Sequence, residues 1–349
     1  MPSHPIEKKT VGALGEFGLI ARIAGGNPKA AGRLVLGIGD DCAAFRQDSG
    51  KLLLATCDIQ VEGRHFVKER SSARDLGLRC AAVNLSDIAA MGGTALYALI
   101  SLGLPPQTPT AWVDGLYKGL REGLGRFGAA IIGGNITSSA MLIIDITLLG
   151  EMAEVELLRR GAAKPGEAIL VTGTVGASAM GRIALERRLR PSKAIAPLAK
   201  AHRTPTPRIR EGRVIASSGL ATAMIDVSDG LAGDLGHICE TSGIGASLDA
   251  SALPIAPATR SIARSLRLDP LAIALHGGED YELLFTCPKE QARNLTERVR
   301  RETGTPVALI GETTSAQGIL LRHADGRREH VEPTGWDHFA KQRAKRKAS

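Results

Sequence analysis

The stretch V-N-L-S-D-I-A-A-M-G-G, from Val83 to Gly93, sets the tightest limit on how this chain can fold. Leu76, Cys80, Val83 and the alanine and methionine positions after them recur at helical spacing, which predicts a helix from Ala73 onward. Gly92-Gly93 supplies its stop, because glycine enters the left-handed region after a last turn without steric cost. Asn84, Ser86 and Asp87 interrupt the apolar run. An ionised carboxylate in apolar surroundings is tolerated only when it is paired or bound to metal. A helix whose polar face simply meets water would account for Asp87 taken alone. Acids in several other loops, each beside an apolar strand, favour a second reading: Asp87 as the hub of a multi-metal phosphate site.

A chain of 349 residues exceeds the usual size of one core, so two domains are expected. The polar, basic stretch 150–164 is the candidate junction, giving domains 1–152 and 153–340 and a basic tail 341–349. Aromatic residues make up only 3%, so the core must come from Ala, Val, Leu and Ile. No run reaches the roughly 20 apolar residues of a membrane span. Glu7, Lys8 and Lys9 near the start are unlike a secretory leader. Five scattered cysteines without a C-x-x-C pair fit reduced thiols and a cytoplasmic setting. The net charge of +8 is partly a tail effect of Lys341, Arg343, Lys345, Arg346 and Lys347. That tail reads as a solubilising end rather than a nucleic-acid site.

Along the chain, Leu14–Ile23 is predicted as a helix and Leu34–Leu36 as a strand running into Gly39-Asp40-Asp41. Leu52–Ala55 is a second strand, ending in Thr56-Cys57-Asp58, with Glu62 and His65 just beyond. After the Ala73 helix come a strand over Ala95–Leu104 and a helix with Thr110 as its cap. A short strand, Ala130–Ile132, leads to a glycine turn, Gly133-Gly134-Asn135-Ile136-Thr137, and Leu142–Leu149 is another strand. In the second half, Thr172–Gly176 is a Gly-rich strand-to-helix turn that could cradle phosphate, although it lacks the Walker lysine. Asp226 and Ser228 share a face if the strand at Ala223 persists, and Asp229 is placed to cap the next helix. His276-Gly277-Gly278-Glu279-Asp280 precedes a further strand. A helix over Pro288–Thr303 and two terminal strands complete an α/β (α+β) fold.

Carboxylates at strand ends, without a zinc-type Cys/His set, suit Mg²⁺ held by a few acids and substrate phosphates. The chemistry they imply is phosphoryl transfer assisted by several Mg²⁺ ions. In this order, G-D-D-C-A (Gly39–Ala43), V-E-G-x-H-F (Val61–Phe66), N-L-S-D-x-A-A-M-G (Asn84–Gly92), D-x-S-D-G-L (Asp226–Leu231) and G-G-E-D-Y-E-L (Gly277–Leu283) resemble the thiamine-monophosphate kinase family. That family lies in the aminoimidazole ribonucleotide synthetase-like superfamily, and the resemblance spans nearly the whole chain. It implies ATP-dependent phosphorylation of thiamine monophosphate to thiamine diphosphate, and a homodimer built through the N-terminal domains. By position, Asp40, Asp41, Thr56, Asp58, Asp87, Asp226 and Asp229 would hold magnesium, with Asp58, Asp87 and Asp226 central to catalysis. Arg160, Ser228, Gly134 and Asn135 would contact ATP. His65, Glu279, Asp280 and Trp336 would meet the acceptor. Two departures stand out: Asn135 where the family commonly has Asp, and Cys57-Asp58-Ile59 where Thr-Asp-Thr is usual. The rival readings are another ATP-dependent synthetase of the superfamily and a nucleotide-binding protein with weakened catalysis.

Overall fold

A computed structural model describes residues 10–25 and 32–335. The first half holds α1 (Val11–Ala24), β1 (Leu34–Leu36), β2 (Ala43–Arg46), β3 (Lys51–Val61), α2 (Ala73–Ala90), β4 (Thr94–Leu104), α3 (Thr110–Gly125), β5 (Ala130–Ser138) and β6 (Ile143–Ala153). The second half holds β7 (Ala168–Thr172), α4 (Ala177–Glu186), α5 (Ile195–Arg203), α6 (Ile209–Ser217), β8 (Ala223–Asp226), α7 (Leu231–Ser242) and β9 (Gly245–Asp249). It continues through α8 (Pro257–Ser265), α9 (Pro270–His276), β10 (Leu283–Cys287), α10 (Ala292–Thr303), β11 (Val307–Thr314), β12 (Gly318–Arg322) and β13 (Arg328–Val331). Among the described residues no helix is long and apolar enough to cross a membrane.

Two mixed sheets organise these elements, one ordered β1-β2-β3-β6-β4-β5 and the other β13-β12-β9-β11-β7-β10-β8. Among the described strands, only β4/β5 and β9/β12 pair in parallel. The predicted helix at Ala73 is α2, which starts as Ser72 accepts a hydrogen bond from the Asp75 N–H at 3.1 Å. Its end follows the glycines: Gly92 has φ +76°, and a Cβ there would lie 2.4 Å from Ala216 Cβ. Nearly every α2 residue from Leu76 to Ala90 is buried. The reason is its position, since one continuous apolar cluster joins Leu85, Ile88 and Met91 of this segment to Leu54 and Ile146 of the first sheet. The same cluster reaches Met224 and Phe285 of the second sheet. A polar face turned to water is therefore excluded for this helix.

α2 also lies against α3 with almost no side chain between them. A Cβ at Gly119 would sit 2.0 Å from the Arg74 carbonyl oxygen, and one at Gly77 would sit 2.2 Å from that of Leu116. Gly119→Ala must force the helices apart and is expected to destabilise the chain by about 1–3 kcal/mol. A lowered urea midpoint with an unchanged slope would show it.

Several local expectations are corrected. Helix α3 begins at Thr110, and Pro109, without a side-chain hydrogen bond, occupies the cap position. The glycine turn at Gly133 is instead part of β5, which continues to Ser138 along β4. Two terminal strands become three, and the Pro288 helix begins at Ala292 after a short 3-10 turn. Trp336 and the basic tail lie outside the described residues.

Candidate active site

The C-terminal end of α2 delivers Ser86 and Asp87 to the seam between the two sheets. Thr56, at the inner face of β3, donates its hydroxyl to Asp87. Ser86 donates to Asp226, at the end of β8, at 2.5 Å. Asp41, after β1, accepts from the Arg160 guanidinium. One carboxylate oxygen each from Asp41, Asp87 and Asp226 falls within 4.8 Å of the others. Asp58, two residues beyond Thr56 on β3, lines the same cleft. Four acids distant in sequence thus surround one cleft.

The electrostatics follow from that crowding. Burial, then the Asp58, Asp226 and Asp41 charges, push the Asp87 carboxyl well above the usual range, and the Thr56 hydroxyl only partly offsets this. Asp226 is pushed up to about 8, by burial and then by Asp41, with Ser86 and Arg160 pulling the other way. Asp40 rises to about 6, through burial and then Asp41. Its two oxygens accept the backbone N–H groups of Asp41 at 3.0 Å and Arg160 at 3.4 Å. Burial works against the Arg160 charge, but Asp41, Asp40 and Asp226 outweigh it and hold the guanidinium protonated. The Asp41 Oδ2 atom is buried without a hydrogen-bond partner. An oxygen-only donor set with converging acids and an orphaned buried carboxylate oxygen fits a hard divalent cation.

One cleft of about 1120 Å³ takes in this cluster together with Arg160, Ser228, Asp229, His65, Glu279 and Gly335. It exceeds the roughly 300–1,000 Å³ common for a single small ligand, so two substrates have room. Its far wall is built around Glu279, which accepts from the buried Arg79 guanidinium and pairs with His202 at 3.3 Å. Burial would raise the Glu279 pKa, yet Arg79 and His202 outweigh it and hold it at about 2. Glu279 and Tyr281 both take positive φ, 69° and 51°. Their N–H groups bond to the carbonyls of Ser228 at 2.7 Å and Val227 at 2.8 Å, so two distant loops are locked together. His65 lies at the same end, its Nδ1 accepting from the Val61 N–H at 3.0 Å.

Other expectations fail on geometry. Asp280 does not face the cleft: its carboxylate accepts the N–H groups of Gly176 at 2.5 Å and Ser178 at 3.0 Å, at the N-terminus of α4. Those bonds also occupy the turn at Thr172–Gly176, the phosphate cradle expected from the sequence. Asp229 does not cap α7; instead Asp234, from the first turn, accepts from the Asp229 and Gly230 N–H groups at 3.2 and 3.0 Å. β8 ends at Asp226, so Ser228 reaches the cleft from a loop and not from a shared strand face. Gly134 and Asn135 stand exposed on edge strand β5, separated from β3 by two strands, and do not line this cleft. Arg79, His202 and Asp234 escaped the sequence reading. For Arg79 a signal existed, since Arg79, Val83 and Asp87 recur every fourth residue and line the cleft as one row.

Comparison with known proteins agrees with this arrangement. Residues 39–152 match the AIR synthase related protein, N-terminal domain, and residues 164–323 match its C-terminal domain. Thiamine-monophosphate kinase of Escherichia coli is 38% identical over 333 residues, 94% of this chain and 99% of that one. The enzyme of the same name from Aquifex aeolicus is 34% identical over 330 residues, 93% of this chain and 98% of that one. Among solved structures, AaThiL complexed with AMPPCP and TMP superposes with a TM-score of 0.81 at 33% identity, covering 93% of this chain and 97% of the other. The Escherichia coli hydrogenase maturation protein HypE shares the fold alone, with a TM-score of 0.67 at 20% identity over 81% of this chain and 86% of the other. With its acids, its cleft and its full-length likeness all in register, the chain belongs to the thiamine-monophosphate kinase family.

Proposed function

We propose that this chain transfers the γ-phosphoryl group of ATP to thiamine monophosphate, giving thiamine diphosphate and ADP. The observation that carries this reading is the meeting of Asp41, Asp87 and Asp226 beside Arg160, in a chain so similar to kinases of that name. The acceptor phosphate is largely dianionic near neutral pH because its second pKa is about 6, so no general base is required. The barrier is repulsion between two anions. Arg160 places a permanent positive charge at the phosphate end of the cleft, and Ser228 lines the same region. Asp41, Asp58, Asp87 and Asp226, with Asp40, Thr56 and Asp229 beside them, are the residues that would hold Mg²⁺. When bound, Mg²⁺ would neutralise charge on the phosphates of both substrates. Glu279, set by Arg79 and His202, and His65 line the acceptor end, where a carboxylate suits the cationic thiazolium.

A homodimer is part of the same reading. Ile59, Tyr97, Leu99, Ile132 and Ile136 of the first sheet are 40–63% exposed, an apolar patch suited to a second copy. Gly134 and Asn135 lie on that edge, so a nucleotide contact from them requires the second copy. The division into 1–152 and 153–340 remains our reading of the junction after β6. All five cysteines are free, which suits a cytoplasmic enzyme.

ADP release measured with and without thiamine monophosphate tests the assignment. Turnover should depend on the monophosphate, and chelating divalent cations should lower it by about 10³-fold, a loss of several kcal/mol of charge stabilisation. ATP binding without monophosphate-dependent ADP release would leave only a nucleotide-binding protein.

A further inference from the structure

Helix α2 borders a second cavity on the face turned away from the large cleft. Arg79, Val83 and Asp87 line the cleft, whereas Leu78, Ala82 and Leu85 line a separate space of about 240 Å³. Phe127, just after α3, completes its apolar floor, and the segment 204–207 forms the facing wall. Pro205 and Pro207 in that wall are buried and have fixed φ, so it is stiff. The helical side cannot close either, because α2 and α3 already touch backbone to backbone at Gly77 and Gly119. Rigid parts thus hold the space open. An apolar cavity of about 150 Å³ already holds a benzene ring, so this one has room for a single ring with one charged substituent.

Three cations stand around the apolar floor: Arg74, Arg126 and Lys200. Glu122 accepts from both guanidiniums and fixes them side by side, at 2.9 Å for Arg74 Nε. Each guanidinium keeps further N–H donors, since it has five. Asp75 is the one acid of the lining, and it lies 3.9 Å from Arg74. Both walls also reach the acceptor end of the cleft. Leu78 precedes Arg79 on α2. His202 stands between Lys200 and Thr204; its carbonyl accepts from Arg79 at 2.5 Å and its Nδ1 lies 3.3 Å from Glu279. Arg208, next after Pro207, holds Glu282 through two bonds of 2.6 Å. A ligand clasped between α2 and the segment 200–207 therefore keeps them at the spacing that sets Glu279.

We propose that this cavity binds a small organic anion with a single flat ring, and that its occupancy tightens acceptor binding on the other side of α2. The binding stands on the cavity alone, and the effect on the acceptor rests on the kinase reading. Calorimetric titration of the full-length chain with phenyl phosphate tests the first part, with a Kd expected in the low-millimolar range or tighter. The double variant Arg126→Ala/Lys200→Ala should weaken binding at least about tenfold, while Glu122 keeps Arg74 as its partner. Ala82→Met, which extends a side chain into the cavity, should weaken it as much from the apolar side. Arg160→Gln, in the large cleft, should leave it within about twofold, and inorganic phosphate, which leaves the floor uncovered, should bind at least about tenfold more weakly. Loss of binding in Arg160→Gln but not in the double variant would overturn the proposal, as would equal affinity for inorganic phosphate. Saturating phenyl phosphate should lower the KM for thiamine monophosphate about fivefold in the parent and leave it unchanged in the double variant. A KM that is unmoved or raised in the parent would overturn the link to the acceptor. Absence of monophosphate-dependent ADP release in the parent chain would instead overturn the kinase reading itself.

Discussion

An Asp87→Asn protein is expected to lose turnover by about 10³-fold or more while its cation-free form becomes more stable than the parent. Both effects have one cause. Asp87 is buried among Asp58, Asp226 and Asp41, and without a cation these charges oppose one another. Asparagine keeps an oxygen for the Thr56 hydroxyl but removes the charge. Asp226 shows the accompanying pH dependence. Its carboxyl holds a proton up to about pH 8 when folded, against 3.8 for an ordinary aspartate. Between those limits the folded chain binds more protons than the unfolded chain. Its contribution is thus fully present below pH 3.8 and lost as pH rises through about 8. Thermal melts of cation-free protein should show stability falling from pH 5 to pH 9, less steeply in Asp87→Asn. Added Mg²⁺ should restore the parent at high pH and the variant far less. A parent melt that is flat with pH and indifferent to Mg²⁺ would remove the basis for a cation site at this cluster.

Arg79→Met should be the most destabilising of the single changes named here, at about 3 kcal/mol. Only 4% of the Arg79 side chain is exposed. Its guanidinium serves Glu279 and the His202 carbonyl, the latter at 2.5 Å. Removing it strands a carboxylate that keeps 30% of its side-chain exposure and His202 as its remaining partner. Partial access to water places the cost toward the lower end of the usual range for breaking a buried pair. Urea unfolding of Arg79→Met, Glu279→Gln and the double variant would measure it. The double variant should be more stable than the sum of the single losses predicts, since neither leaves the other group stranded. Simple additivity would mean that the two side chains act independently. Because we propose that Glu279 lines the acceptor end, Arg79→Met should also raise the KM for thiamine monophosphate more than that for ATP.

The fold was legible wherever the chain declares itself locally. Helical spacing from Leu76, Pro and Gly punctuation, and apolar runs located α2, β6 and β8 to within a few residues, whereas β3, expected over Leu52–Ala55, runs on to Val61 with Thr56 and Asp58 inside the strand. The GDD, DVSDG and GGED segments were visible as candidate loops for the same reason. Legibility stopped where a side chain chooses between partners that are all chemically suitable. Asp280 and Glu279 are neighbours with the same chemistry, yet one caps α4 and the other faces the cleft. The positive φ at Glu279 turns consecutive side chains in different directions, and no periodicity reports such a turn. Asn135 carries a family-like motif on a strand that its own fold directs away from its own cleft.

By itself, the sequence determined which residue types were available and in what order: acids after apolar strands, a helix with an aspartate near its stop, and no soft metal ligands in pairs. Tertiary structure alone decided the partners. Ser86 finds Asp226 across 140 residues, Arg79 finds Glu279 across 200, and Gly176 takes Asp280 across 104. Hydrogen bonds and charges act over a few ångströms, and only tertiary packing, that of α2 between two sheets for Ser86 and Arg79, brings such distant groups that close.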